Sequence, residues 1–300
     1  MQDNLGKTTS MPLTSRGPIG GSSNARDGKR GFAARHWPAL LISMIVVPMI
    51  VVLGVFAALP AQAAGPPTVS LGSAENFAVL GNTTVTNTGA TTVIIGNVGL
   101  APGTSITGLT PSMVTGTIEI HNASANQSQT DLTVAYNDAA GRTLDSILKS
   151  GNLGGQTLVA GLYTSTSSLE ISSGDLTLSG SASDVWIFQM ASTLTVTTGR
   201  WVNLTGGAVA ANVFWQVGSS ATLGVNSTFV GTIMAQASVT LEHGATLYGR
   251  ALARDGAVTL DTNTVISPSA VIPEFTQVLV PLVGMMLVIG IVSKVRNQKK

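Results

Sequence analysis

GSSATLGVNSTFVGTIMA (residues 218–235) runs straight into QASVTLEHGATLYGRALA (residues 236–253). RDGAVTLDTNTVIS (residues 254–267) then starts a third copy with one residue inserted. An earlier stretch, SGDLTLSGSASDVWIFQM (residues 173–190), has the same length of 18 residues and the same three-part layout. A fixed period built from short alternating segments is the signature of stacked coils, each burying its apolar side against its neighbours. Such a stack can set one side chain from every coil in a flat row.

The first segment of each coil is an apolar-Thr-apolar triplet: Leu176-Thr177-Leu178, Leu194-Thr195-Val196, Ala221-Thr222-Leu223, Val239-Thr240-Leu241 and Val258-Thr259-Leu260. Strand alternation turns these Thr side chains outward and their flanks inward. A second segment gives Thr228-Phe229-Val230, Thr246-Leu247-Tyr248 and Thr264-Val265-Ile266, with Thr228, Thr246 and Thr264 outward at a spacing of 18. The third is mostly apolar: Trp186-Ile187-Phe188, Phe214-Trp215-Gln216, Ile233-Met234-Ala235 and Ala251-Leu252-Ala253. Three strands per coil predict a triangular β-solenoid. Thr fills 32 of the 199 positions from 68 to 266, which suits this architecture because β-branched side chains favour strands.

One helix is expected alongside. Ser124 and Gln127 offer a capping box, and Leu132, Ala135, Tyr136, Ala139, Ile147 and Leu148 recur at roughly helical spacing before Gly151. Such a helix packs on one strand face, and the apolar third strands need cover, although the pattern alone does not name the face.

Only 10% of residues are charged and the mean hydropathy is +0.38, partly because both ends are hydrophobic. Residues 64–267 hold eleven acidic and five basic side chains, so an acidic middle lies between basic tails and argues against nucleic-acid binding. With no Cys, disulfides and thiolate metal sites are excluded.

Residues 1–36 form a basic, Gly/Ser/Thr-rich tail with the composition of disorder. The apolar run 38–59, preceded by arginines and followed by Ala61-Gln62-Ala63, reads as a secretory signal cut after Ala63, with an uncleaved anchor as the alternative. A domain of residues 64–267 follows. In residues 268–300, Pro273-Glu274-Phe275 precedes the apolar stretch 278–292 and a basic tip. The positive-inside rule puts both tips in the cytoplasm and the middle outside. The C-terminal arrangement resembles the archaeal PEF-type sorting signal, which implies removal of the span and attachment to a lipid. A plain membrane anchor is the alternative.

The central domain resembles the large microbial family of ice-binding proteins. The motifs that carry the resemblance are Phe77-Ala78-Val79-Leu80, Ala135-Tyr136-Asn137-Asp138-Ala139-Ala140-Gly141-Arg142, Asp184-Val185-Trp186-Ile187-Phe188-Gln189, Leu204-Thr205-Gly206-Gly207-Ala208, Asn212-Val213-Phe214-Trp215-Gln216-Val217, and Gly249-Arg250 followed by Ala257-Val258-Thr259-Leu260. The resemblance implies a mainly β fold, a right-handed discontinuous β-solenoid of triangular section with one long α-helix packed alongside. It also implies that N-terminal strands, here residues 83–88, complete the solenoid beside the C-terminal coils. The implied function is non-enzymatic adsorption of a monomeric ectodomain to ice through one flat face, without cofactor or metal.

A flat, uncharged array of hydroxyls and methyls suits ice, whereas charge favours ordinary hydration. Glu242 and Asp261 follow Thr240 and Thr259 by two residues, so the column Thr177, Thr195, Thr222, Thr240 and Thr259 is the second choice. The first choice is Thr228, Thr246 and Thr264, with Asn226, Gly244 and Thr262 beside them; Tyr248 is its one departure from flatness. The bland alternative is that Thr is simply a good outward strand residue. A different class of function is a cell-surface structural or adhesive module that binds glycan or a neighbouring protein. Catalysis is disfavoured because Glu242, His243, Asp255 and Asp261 are the only grouped ionisable side chains, and they are sparse. His121 is expected to begin the turn before the helix. Asn82, Asn122, Asn126, Asn203 and Asn226 begin glycosylation sequons.

Overall fold

The computed structural model describes residues 65–268. The proposed cleavage site at Ala61 and Ala63 and the motif Pro273, Glu274 and Phe275 lie outside the described residues.

The short apolar-x-apolar segments cannot bury their inner faces alone, so they stack. Each pairs in parallel with the equivalent segment of the next coil, forming three faces. The 18-residue period holds in the register: Thr228 lies against Thr246 and Thr246 against Thr264. The inserted residue of the third copy shows as a 19-residue step from Val239 to Val258. The strands Thr228–Ala235 and Thr246–Ala253 run through a corner from one face to the next. Gly231 and Gly249 make that bend, and a Cβ on Gly249 would lie 1.8 Å from the Gly231 carbonyl oxygen. Only glycine lets the two chains approach so closely.

Inside the triangle, Tyr163, Phe188, Trp215 and Phe229 form a continuous stack along the axis, with centroid separations of 5.2, 3.9 and 4.9 Å. The indole donors of the two buried tryptophans are satisfied: Trp186 Nε1 donates to Leu158 O and Trp215 Nε1 to Val230 O.

The solenoid is discontinuous in sequence. Phe77–Gly81, Thr84–Asn87 and Val93–Ile95 form a coil that docks on the last C-terminal coil, in register with Thr246–Ala253, Val258–Leu260 and Thr264–Ile266. A buried polar chain fixes this junction. Thr92 Oγ1 donates to Asn87 Oδ1 and accepts from Asn263 N, and Asn263 Nδ2 donates to the carbonyls of Glu242 and Ala245. Buried amides without these partners would each cost about 1–3 kcal/mol.

After the strand Ile118–Ile120 at one end, the chain returns through helix α1 (Ala123–Gly141) and restarts at the opposite end with Ile147–Leu148. Its 19 residues span about 28 Å, roughly six inter-strand steps. Leu132, Ala135, Tyr136 and Ala139 bury against Phe77, Leu80, Ile187, Phe214, Met234 and Leu252, so the covered face is the one built from the third strands. Polar pegs add direction: Gln216 Nε2 donates to the Tyr136 hydroxyl at 2.7 Å, and Gln129 Nε2 to the Gly81 carbonyl at 2.8 Å.

Three expectations need correction. The helix cap is Asn122, whose Oδ1 accepts from Ala125 N at 2.8 Å; Ser124 lies inside the first turn. The helix stops at Gly141, and exposed Ile147 and Leu148 belong to an edge strand, which coincidental spacing disguised. Thr177 is not in the first Thr column. Its strand Leu176–Ser179 pairs with Val202–Thr205 and Thr157–Leu158 in a separate three-stranded sheet. The stretch 173–190 is offset in phase from the later repeats. It carries a third-face strand and then a covered-face strand, and the triplet pattern is common to both outward faces.

Candidate functional site

The eight-stranded sheet forms one open face. Across six consecutive strands its register aligns Thr107, Thr86, Thr259, Thr240, Thr222 and Thr195 at a single outward position. Five steps at the inter-strand spacing make a row about 24 Å long. The two N-terminal members touch through their hydroxyls, Thr107 Oγ1 to Thr86 Oγ1 at 3.4 Å. At the far end the row passes into Glu170 and Asn152.

Two residues upstream, strand alternation places a second row of Ser105, Thr84, Ala257, Ser238, Ser220 and Thr193 on the same side. Hydroxyls of this row bond to the neighbouring coil: Ser220 Oγ accepts from Ser238 N, and Ser238 Oγ from Ala257 N. Neither row carries a charge over these six strands. The acids that argued against this face are at its downstream corner. Asp261 is drawn there by Thr262 Oγ1 at 3.1 Å and His243 Nδ1 at 3.3 Å, while Glu242 remains exposed just past its strand.

The first-choice column is in register but short. Thr228, Thr246 and Thr264 are aligned, with Trp201 bridged to Thr228 at one end and Val93 paired with Thr264 at the other. Trp201 is 50% exposed, Val93 45% and Tyr248 45%, so bulky side chains bound and roughen the row. Asn226, Gly244 and Thr262 do not extend it. Their φ angles of 53°, 72° and 56° place them in the corner turn between two faces. Strand alternation fails there because the backbone leaves the extended region, which Asn and Gly tolerate best.

Sequence reasoning missed Thr86 and Thr107. They lie outside the 18-residue repeat and reach the column only because the N-terminal coil docks on the C-terminal one. Residues 83–88 were expected beside those coils, so Thr86 was within reach of that reading. Among the described residues no group of three His, Asp or Glu side chains is placed to hold a metal ion.

The chain belongs to the ice-binding-like family, whose profile matches residues 79–266. It is 41% identical to an ice-binding protein of Nostoc sp. (strain HG1) over 236 residues, 75% of this chain and 87% of that one. It is also 41% identical to an ice-binding protein of Flavobacterium frigoris (strain PS1) over 217 residues, 67% of this chain and 76% of the relative. A crystal structure of an ice-binding protein from an Antarctic biological consortium superposes with a TM-score of 0.65 at 51% identity, covering 70% of this chain and 96% of that one.

Proposed function

We propose that this protein adsorbs to ice through the outward face of the eight-stranded sheet, centred on Thr86, Thr195, Thr222, Thr240 and Thr259. The observation that carries this reading is the unbroken row of six Thr beside a second uncharged row. Paired hydroxyl and methyl groups at a fixed repeat hold water in an ordered layer that can merge with a crystal surface, and a rigid solenoid keeps that order without entropic cost at the moment of binding. The ice-binding relatives support the ligand; the geometry supports this face over the Thr228 column. The role is binding, not catalysis.

The same reading keeps the solenoid outside the cell as a monomeric ectodomain. Residues 1–63 act as its export signal, and residues 268–300 anchor it through a membrane span or a lipid attached after sorting. Held there, it would inhibit ice growth near the cell or hold the cell to ice.

The test is uptake of the fluorescently labelled segment 64–267 into a growing ice hemisphere, comparing the parent with Thr240→Tyr and Thr246→Tyr. The parent and Thr246→Tyr should enter the ice, and Thr240→Tyr should be excluded. Loss only with Thr246→Tyr would move the site to the Thr228 column. Exclusion of the parent would sink the ice reading.

A further inference from the structure

The third face carries a feature that ice adsorption does not use. Among the described residues Trp186 and Trp215 are fully buried, whereas Trp201 is 50% exposed. Tyr136 and Tyr163 are buried, whereas Tyr248 is 45% exposed. The two exposed rings border one shallow hollow of about 480 Å³, lined also by Asn203, Ala210, Thr228 and Val230. Trp201 is bridged to Thr228, and Tyr248 pairs with Val230 on the next strand. Two strand steps across and two residues along separate the rings by about 12 Å at their backbones.

We propose that this hollow is a binding site for a neutral glycan, separate from the threonine face. The axial C–H groups of a sugar ring pack on the electron-rich face of an aromatic side chain, and its hydroxyls need nearby donors and acceptors. Both parts are present. Trp201 and Tyr248 supply two stacking platforms at the separation of a short oligosaccharide. The indole N–H of Trp201, the amide of Asn203 and the hydroxyl of Thr228 make no side-chain hydrogen bond to described residues, unlike the indoles of Trp186 and Trp215.

The charge pattern selects the ligand. Tyr248 is the sole ionisable side chain in the lining, and the nearest ion pair, Arg200 with Asp175 at 3.6 Å, is internally neutralised. A charged polymer would lose hydration here without gaining a partner. A second copy of the chain fits less well, because eight residues line the hollow whereas a stable protein interface takes about 20–30 a side.

The test uses the full chain in a sugar-free detergent, titrated with cellohexaose, maltohexaose, laminarihexaose and chitohexaose by calorimetry and Trp fluorescence. At least one should bind saturably. Affinity should fall at least tenfold in both Trp201→Ala and Tyr248→Ala, and should be retained in Trp201→Phe and in Thr240→Tyr. Ice uptake should survive both alanine variants, so failure of this site and failure of the ice reading are distinguishable. Absence of binding across the panel, or binding unchanged in both alanine variants, would overturn the proposal. So would concentration-dependent dimerisation abolished by Trp201→Ala, which would assign the face to a second copy.

Discussion

At the scale of single residues, Glu242 is an exposed acid at the downstream corner of the threonine face, just past the strand Val239–Leu241. A carboxylate at that corner keeps the water at the border of the face in an ordinary hydration shell. Glu242→Thr is expected to raise thermal hysteresis several-fold, read by nanolitre osmometry, with no change in circular dichroism. A second residue governs acid stability. The Asp131 carboxylate accepts from the Ser73 hydroxyl at 2.6 Å, from Ser73 N at 2.7 Å and from Gln127 Nε2 at 2.8 Å. These bonds, the Ser73 hydroxyl foremost, hold its pKa below the usual aspartate range. The unfolded chain therefore takes up the proton first. The stabilisation is complete above the ordinary aspartate pKa and is lost as pH falls toward the folded value. Asp131→Asn should flatten the fall in urea midpoint from about pH 5 to about pH 2 relative to the parent.

At the scale of elements, the helix and the aromatic stack carry separable shares of stability. Asn122 satisfies an otherwise open amide of the first turn, and Asn122→Ala should cost about 1 kcal/mol in denaturant unfolding. Trp215 lies between Phe188 and Phe229 with its indole bonded to Val230 O, so Trp215→Ala should cost about 3–5 kcal/mol. The helix also shows how far pattern reading extends. Leu132, Ala135, Tyr136 and Ala139 were legible as a buried stripe and are one. Ile147 and Leu148 continued the spacing by coincidence, because periodicity does not register that the backbone has left the helix.

At the scale of the whole molecule, the docking of residues 77–95 on the last coil both closes the fold and lengthens the threonine row by Thr86. It covers the edge of the strands Thr246–Ala253, Val258–Leu260 and Thr264–Ile266. Removing residues 64–120 should leave that parallel edge open, and uncovered edges template aggregation. The truncated chain is expected to be insoluble, or to show fast amide exchange at Val258–Leu260. A soluble product with parent-like protection would show that the C-terminal coils stand alone.

The repeat at residues 218–267 determined by itself that the chain stacks into coils, which segments form strands and which residues point inward. Those properties depend on period and alternation, which are local. It left two outward Thr columns and no sound way to rank them, because charge two residues away in sequence was taken as charge on the same surface. Tertiary structure decided what each column presents. The corners turn Asp261 off the flat face and put Asn226, Gly244 and Thr262 outside it, while docking of the N-terminal coil adds Thr86 and Thr107. The same placement bounds the other column with Trp201, Val93 and Tyr248. Which side chains share a surface depends on where the chain bends and which distant strands pair, and neither is written in the spacing of neighbours.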